Sequence, residues 1–264
     1  MSNISTIFWR EAIKIFRSKS QLFSSIIQPI LWLALYGISF NSFLTGLPVF
    51  EGFSYFSSLV PGVIALTVLF TSLFGGIGIL FDKIFGLIKE ISVAPIARTD
   101  IIIGKALGSQ LRSIIQVVLV LAGGFILGAS FAYPYTPILG FLGLFALIFL
   151  MGFGFTFMSS MIAIKLSSFE GLNAVISLLT LPFFFTSGAL VPIPAMPSPL
   201  QVLAYINPVT YTVEGMKALL LPYTPGFSLM IPELMIPVSF IVLISFTMLT
   251  LAGSLILIKR TVLI

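Results

Sequence analysis

The chain has 264 residues, of which 58% are hydrophobic and 8% charged, and its formal net charge is +5. A soluble domain carries about 25% charged residues, so this sequence cannot cover a water-facing surface, and its apolar runs leave no room for a separate soluble domain. Cys and His are both absent, which excludes disulfides and thiolate metal sites and leaves no plausible zinc site.

Residues 4–19 open the chain. Ile4, Phe8, Ala12, Ile15 and Phe16 share one helical face, Arg10, Lys14 and Arg17 share the opposite one, and Ile7 breaks the pattern. A basic amphipathic helix ahead of an apolar run suits the cytoplasmic membrane interface. Charge-free runs then cover 20–50, 52–81, 113–164, 171–213 and 234–258. A bilayer core of ~30 Å needs about 20 apolar residues per helix. The long run 113–164 holds two spans, with Tyr133-Pro134-Tyr135-Thr136-Pro137 as the turn. The expectation is an all-α membrane protein with six transmembrane helices, at 21–43, 58–80, 106–130, 137–163, 172–190 and 236–258. The first apolar stretch is too long for a cleavable signal and reads as a retained span.

Between spans 2 and 3 lies the most polar stretch, 82–105. Ile84, Leu87, Ile88 and Ile91 follow i, i+3, i+4, i+7, while Asp82, Lys83, Lys89 and Glu90 fill the other face. Such a helix either lies on lipid or seats in a groove of a cytoplasmic partner. Pro95 ends it, and Thr99 or Asp100 is the expected cap of span 3. Lys105 and Arg112 are placed near the cytoplasmic end of that span, able to snorkel. Gly104/Gly108 and Gly124/Gly128 are spaced for close helix approach. Between spans 5 and 6, Pro192, Pro194, Pro197 and Pro199 forbid a continuous helix. A helix can restart at Pro208, with Glu214 and Lys217 at a pairing distance of i,i+3. Counting 200–221 as a crossing would invert span 6, so short outer re-entrant helices fit better.

With this threading, twelve of the thirteen Lys and Arg residues fall on one face. Only Lys217 lies opposite, beside Glu51, Glu214 and Glu233. The positive-inside rule then makes both termini cytoplasmic. The basic residues flank spans and form no patch with exposed aromatics, so nucleic-acid binding is excluded.

Residues 59–108, from Leu-Val-Pro-Gly through Phe-Asp-Lys-Ile-Phe-Gly-Leu-Ile-Lys-Glu-Ile to Ala-Pro-Ile-Ala-Arg-Thr-Asp-Ile-Ile-Ile-Gly-Lys-Ala-Leu-Gly, resemble the ABC-2 family of ABC transporter permeases. Asn207-Pro208-Val209-Thr210-Tyr211, with Glu214-Gly215 following, is similar to that family's second signature. The resemblance implies a permease that homodimerises in the cell membrane and binds two copies of an ABC ATPase subunit. It implies that 4–19 is an interfacial helix and that 82–93 approximates a coupling helix, with Asp82, Lys83, Phe85, Gly86, Leu87, Ile88, Lys89 and Glu90 at the ATPase contact. It implies that 191–221 caps the exit through short outer helices carrying Asn207, Pro208, Tyr211, Glu214 and Lys217. Export of lipid-like, drug-like or glycan-linked amphiphiles is the implied activity. Phe183, Phe184 and Phe185, after Pro182, are candidates for an apolar substrate lining.

The residues agree on energetics. Transport coupled to ions needs ionisable groups near the midplane, and the span cores as drawn hold none. No Gly-x-x-x-x-Gly-Lys-Ser/Thr loop exists in the sequence, so ATP and Mg would sit on another polypeptide and this chain would carry no cofactor. Intramembrane proteolysis would need a Ser with a His or Lys base, or two facing acids. Neither exists in the spans, so the chain is not expected to be an enzyme. The rival class is an ATP-independent scaffold or lipid scramblase.

Overall fold

The computed structural model describes residues 3–44, 55–86, 97–131, 136–225 and 227–261. Within them every regular element is helical. In chain order these are α1 (Asn3–Arg17), α2 (Lys19–Leu44), α3 (Tyr55–Gly75), α4 (Ile77–Ile84), α5 (Arg98–Ile126), α6 (Pro137–Lys165), α7 (Phe169–Phe185), a 3-10 turn (Ile193–Ala195), α8 (Ser198–Ile206), α9 (Pro208–Leu220) and α10 (Pro232–Thr261). By length and composition, four stretches of these helices can cross a membrane: Tyr55–Ile84, Thr99–Ile126, Pro137–Lys165 and Pro232–Ile258. Ile27–Phe40 and Phe169–Phe185 are shorter apolar helices.

The central helix is α3. It is buried on all sides from Tyr55 to Leu69 and packs on α2, α5, α6 and α9. A helix apolar all round belongs inside a bundle or a membrane. Close approach comes from small residues. A Cβ on Gly62 would meet the Ala189 carbonyl at 2.6 Å, and one on Gly124 would meet Val60 at 2.7 Å. The helix breaks at Gly76, within the small-residue patch 75–78. There Ser159 of α6 donates to the Leu73 carbonyl, satisfying a backbone acceptor that the break sets free. The chain resumes as α4, which reaches Ile84.

Proline sits inside α2, α3, α7 and α10, at Pro29, Pro61, Pro182 and Pro237. Apolar helices tolerate it where neighbouring hydroxyls meet the freed carbonyls. The Pro182 carbonyl itself keeps its helical bond from the Thr186 N–H at 3.1 Å and also accepts from Thr186 Oγ1 at 2.8 Å.

The third long helix differs from the sequence expectation. It starts at Arg98, capped by Ala97 in extended backbone rather than by Thr99 or Asp100. Lys105 therefore falls inside it. Arg112 is fourteen residues in, about 21 Å along the axis, at the midpoint of a 29-residue helix. So this long apolar helix carries ionisable side chains within its length.

The bundle has two ends. Arg10, Asp82, Lys83, Lys105 and the C-terminus of α6 meet at one. Ser57, Ser130, Gly188 and Lys217 mark the other, since Ser57 near the start of α3 accepts from the Ser130 N–H and the Gly188 carbonyl accepts from Lys217.

Candidate functional site

At the first end α1 lies flat against α5, because Gly104 and Gly108 remove the side chains that would hold them apart. A Cβ on Gly104 would meet Ile7 at 2.7 Å, and one on Gly108 would meet Glu11 at 2.5 Å. Between these glycines Lys105 enters a buried ion pair. Its Nζ lies 2.5 Å from Asp82 Oδ2 and donates to the Gly78 carbonyl at 2.6 Å. Arg10 reaches the same carboxylate oxygen at 3.4 Å and Glu11 at 3.1 Å, and Lys14 holds Glu11 at 3.1 Å. One chain of charges thus ties α1, α4 and α5 together. A buried pair is tolerated when extra hydrogen bonds complete it, and the Gly78 carbonyl does so here.

This geometry sorts the expected ATPase-contact residues. Asp82 turns inward and is buried. Lys83 donates to the carbonyls of Ile164 and Leu166 at 2.7 and 2.9 Å, capping the negative end of α6. Ile84 and Phe85 face outward, 48% and 76% exposed. Phe85 stacks on Phe81, which stacks on Phe169 of α7. Gly86 follows with φ +76°, a left-handed conformation that favours glycine. Leu87, Ile88, Lys89 and Glu90 lie outside the described residues, as does Glu51. The charge chain through Asp82 escaped the sequence reading because Lys105 is 23 positions away and no spacing rule joins the two. The Gly104/Gly108 spacing signalled a close helix approach but not that α1 is the helix seated there.

Beside this network is a cleft of about 540 Å³ between α1, α2, α3, α4 and α5. Glu11, Lys14, Lys105 and Arg112 supply its charges, Thr71, Ser109 and Gln116 its neutral polar groups, and Trp32, Phe70 and Phe74 its aromatic wall. Thr71 donates to Gln116 Oε1 at 2.5 Å, linking α3 to α5.

At the second end the chain turns back on itself. After α7 it makes a turn through Thr186 and Ser187, with Gly188 at φ +76°, then forms α8 and α9. Asn207 starts α9: its Oδ1 accepts from the Val209 N–H at 2.9 Å, with Pro208 in the first turn. Its Nδ2 donates to the Phe183 carbonyl at 2.6 Å and to Thr186 Oγ1 at 2.9 Å. One residue therefore caps α9 and ties it to the end of α7. Tyr211 reaches back to the Tyr205 carbonyl at 2.8 Å, joining α9 to α8.

Glu214 and Lys217 form a buried pair, 2.9 Å apart and 1% and 3% exposed. Lys217 also donates to the Gly188 carbonyl at 2.7 Å and lies 4.8 Å from the Phe227 ring centroid. Glu214 Oε2 accepts from the Leu229 N–H at 3.1 Å. The pair pins α9 to the turn after α7 and to the loop before α10.

The three phenylalanines part company. Phe183 packs on Phe155, Phe184 is buried against Trp32, and Phe185 is 53% exposed. Consecutive helical residues point about 100° apart, so the three cannot share one wall.

The family model of the ABC-2 type transporter matches residues 2–221. A protein of Cyanophora paradoxa named as transport permease ycf38 is 35% identical over 208 residues, covering 78% of this chain and 70% of that one. In Mycobacterium tuberculosis, a protein named as doxorubicin resistance ABC transporter permease DrrC is 26% identical over 161 residues, covering 61% and 56%. The inner membrane transport permease YadH of Escherichia coli K12 is 24% identical over 196 residues, covering 73% and 74%. Together with the apolar helices, the match over most of its length shows that this chain is an integral membrane protein belonging to the ABC-2 type transporter family.

Proposed function

We propose that this chain is the permease subunit of an ATP-driven exporter that moves an amphipathic substrate, lipid-like, drug-like or glycan-linked, across the cell membrane. The family match carries the reading. The sequence has no nucleotide-binding loop of the Gly-x-x-x-x-Gly-Lys-Ser/Thr type, so ATP and Mg bind a separate ABC ATPase, in two copies per permease homodimer. The permease itself is not an enzyme and carries no cofactor.

In this reading the chain crosses six times, through α2, α3 with α4, α5, α6, α7 and α10. The 17 residues of α7 rise about 26 Å, close to the ~30 Å core. The charge-rich end that gathers Arg10, Lys14, Lys83 and Lys105 is cytoplasmic, as the basic bias of the flanks requires. Both termini lie there. The ATPase docks on residues 82–93, where Ile84 and Phe85 present apolar surface. Asp82 and Lys83 act behind that contact, relaying its position to α1, α5 and α6. The helices α8 and α9 cap the exit, and Phe185 is the phenylalanine placed to meet substrate or lipid.

The test is purification of the tagged chain from its native membrane with identification of what comes with it. Recovery of an ABC ATPase whose hydrolysis rises in the complex supports the reading. A pure chain with no ATPase, still moving lipid without ATP, supports the scramblase reading instead.

A further inference from the structure

We infer that the cleft between α1, α2, α3, α4 and α5 binds the anionic headgroup of an amphiphile, a phosphate or carboxylate at its charged end with the apolar chain along Trp32, Phe70 and Phe74. The inference rests on the permease reading and deepens it by naming the headgroup charge.

Charge comes first. The cleft and the network behind it hold four cations, Arg10, Lys14, Lys105 and Arg112, against two carboxylates, Glu11 and Asp82. The balance is +2. Both carboxylates already face cations: Glu11 lies against Arg10 and Lys14 and in the field of Arg112, and Asp82 lies against Lys105 and Arg10. A cationic headgroup would meet a positive potential there. An anion would neutralise it.

Depth comes second. Arg112 is half-buried at the midpoint of α5, about 21 Å from its start, and lines the cleft. A cation so placed within an apolar helix is costly, and such residues face water-filled cavities or substrate routes. The guanidinium fork suits an oxyanion, which it can hold by two parallel hydrogen bonds.

The cleft is also graded along its length. Lys14 and Lys105 stand at the end where α1 meets α4 and α5. From Gly75 to Leu66, α3 climbs nine residues, about 13 Å, along the same cleft, and its partner wall there is Trp32 of α2. A headgroup at the charged end therefore leaves its chain against aromatic and aliphatic surface. Transported substrate and resident bilayer lipid can share this chemistry.

The chain has two tryptophans, and one of them, Trp32, lines the cleft. Trp9→Phe leaves Trp32 as the sole indole reporter. The full-length Trp9→Phe chain in dodecyl maltoside is titrated with dodecyl phosphate and with dodecyltrimethylammonium, which share a tail and differ in head charge. The expected result is a saturable change in Trp32 emission, with a midpoint at least tenfold lower for the phosphate. Arg112→Gln should raise that midpoint at least tenfold. Arg112→Lys should keep a measurable preference for phosphate, and Arg17→Gln, at an exposed position outside the cleft, should change nothing. Equal midpoints for the two amphiphiles, or no effect of Arg112→Gln in a protein that elutes as a single species, overturns the inference.

Mass spectrometry of co-purified lipid separates the sources. An anionic lipid bound to the wild type and lost from Arg112→Gln identifies a resident lipid. ATP-dependent movement of labelled dodecyl phosphate by the ATPase complex identifies a substrate. ATPase capture is scored in parallel. Capture without anion preference sinks this inference alone, and anion preference without capture sinks the permease reading alone.

Discussion

Removing either charge of the Glu214–Lys217 pair should destabilise the outer cap strongly, and removing both should cost less than the two single losses added together. Lys217→Met deletes two hydrogen bonds and leaves a carboxylate that is 1% exposed with, among the described residues, the Leu229 N–H as its remaining donor. Breaking a buried pair in this way costs about 3–5 kcal/mol. At about 2–4 °C per kcal/mol for a chain somewhat smaller than this one, the midpoint should fall by roughly 6–20 °C. Glu214→Gln should cost a similar amount by stranding the ammonium. In the double variant Glu214→Gln/Lys217→Met no buried charge remains, so its loss should be smaller than the sum by about 2 kcal/mol, within the range of couplings between touching residues. Exchanging the two charges should not rescue. It would set a carboxylate against the Gly188 carbonyl and an ammonium against the Leu229 N–H, and would remove the cation from the Phe227 ring. The assay is thermal unfolding in detergent followed by size-exclusion of the surviving protein. Single variants within ~2 °C of wild type, or a double variant equal to the sum of the singles, would refute the reasoning.

The buried pair at the opposite end follows the same rule: Lys105→Met should cost about 3–5 kcal/mol, because among the described residues Asp82 then keeps only Arg10 at 3.4 Å, and adding Asp82→Asn should recover part of the lost midpoint. Gly108→Leu should lift α1 from α5, since even one Cβ there meets Glu11 at 2.5 Å; limited proteolysis should then cut α1 faster than in the wild type, and an unchanged cutting rate would show that α1 does not rest on that glycine. Ile88→Glu, on the apolar face of the proposed coupling helix, should abolish capture of the ATPase while surface expression stays normal, because burying a carboxylate without a partner costs several kcal/mol, enough to empty a micromolar interface; full capture would place this face on lipid.

Local chemistry made much of the fold readable. The amphipathic pattern of 4–19 marked α1, and the run of prolines from Pro192 to Pro199 marked the break before α8. Asn207-Pro208 marked the start of α9, where an Asx cap and a proline belong. Long-range electrostatics did not leave such traces. Lys105 reads in the sequence as a lone lysine near the cytoplasmic end of a span, and nothing local shows that Asp82 on another helix answers its charge. The cap of α5, Ala97, lies two or three residues before the expected Thr99 or Asp100, which leaves Arg112 at mid-helix. The same holds for Asp82, whose place on a charged helical face gave no sign that it turns inward. Lys83 likewise looked like a partner contact, and its acceptors on α6 are some eighty positions away. At the candidate site, then, residues fixed by neighbours in sequence were legible, and those fixed by neighbours in space were not.

The most direct test of the exporter reading is reconstitution of the chain in sealed vesicles with and without its ATPase, followed by movement of a fluorescent amphiphile between leaflets. Movement that requires the ATPase and ATP, and stops with a non-hydrolysable analogue, is the predicted result. Equal movement by the permease alone would contradict it.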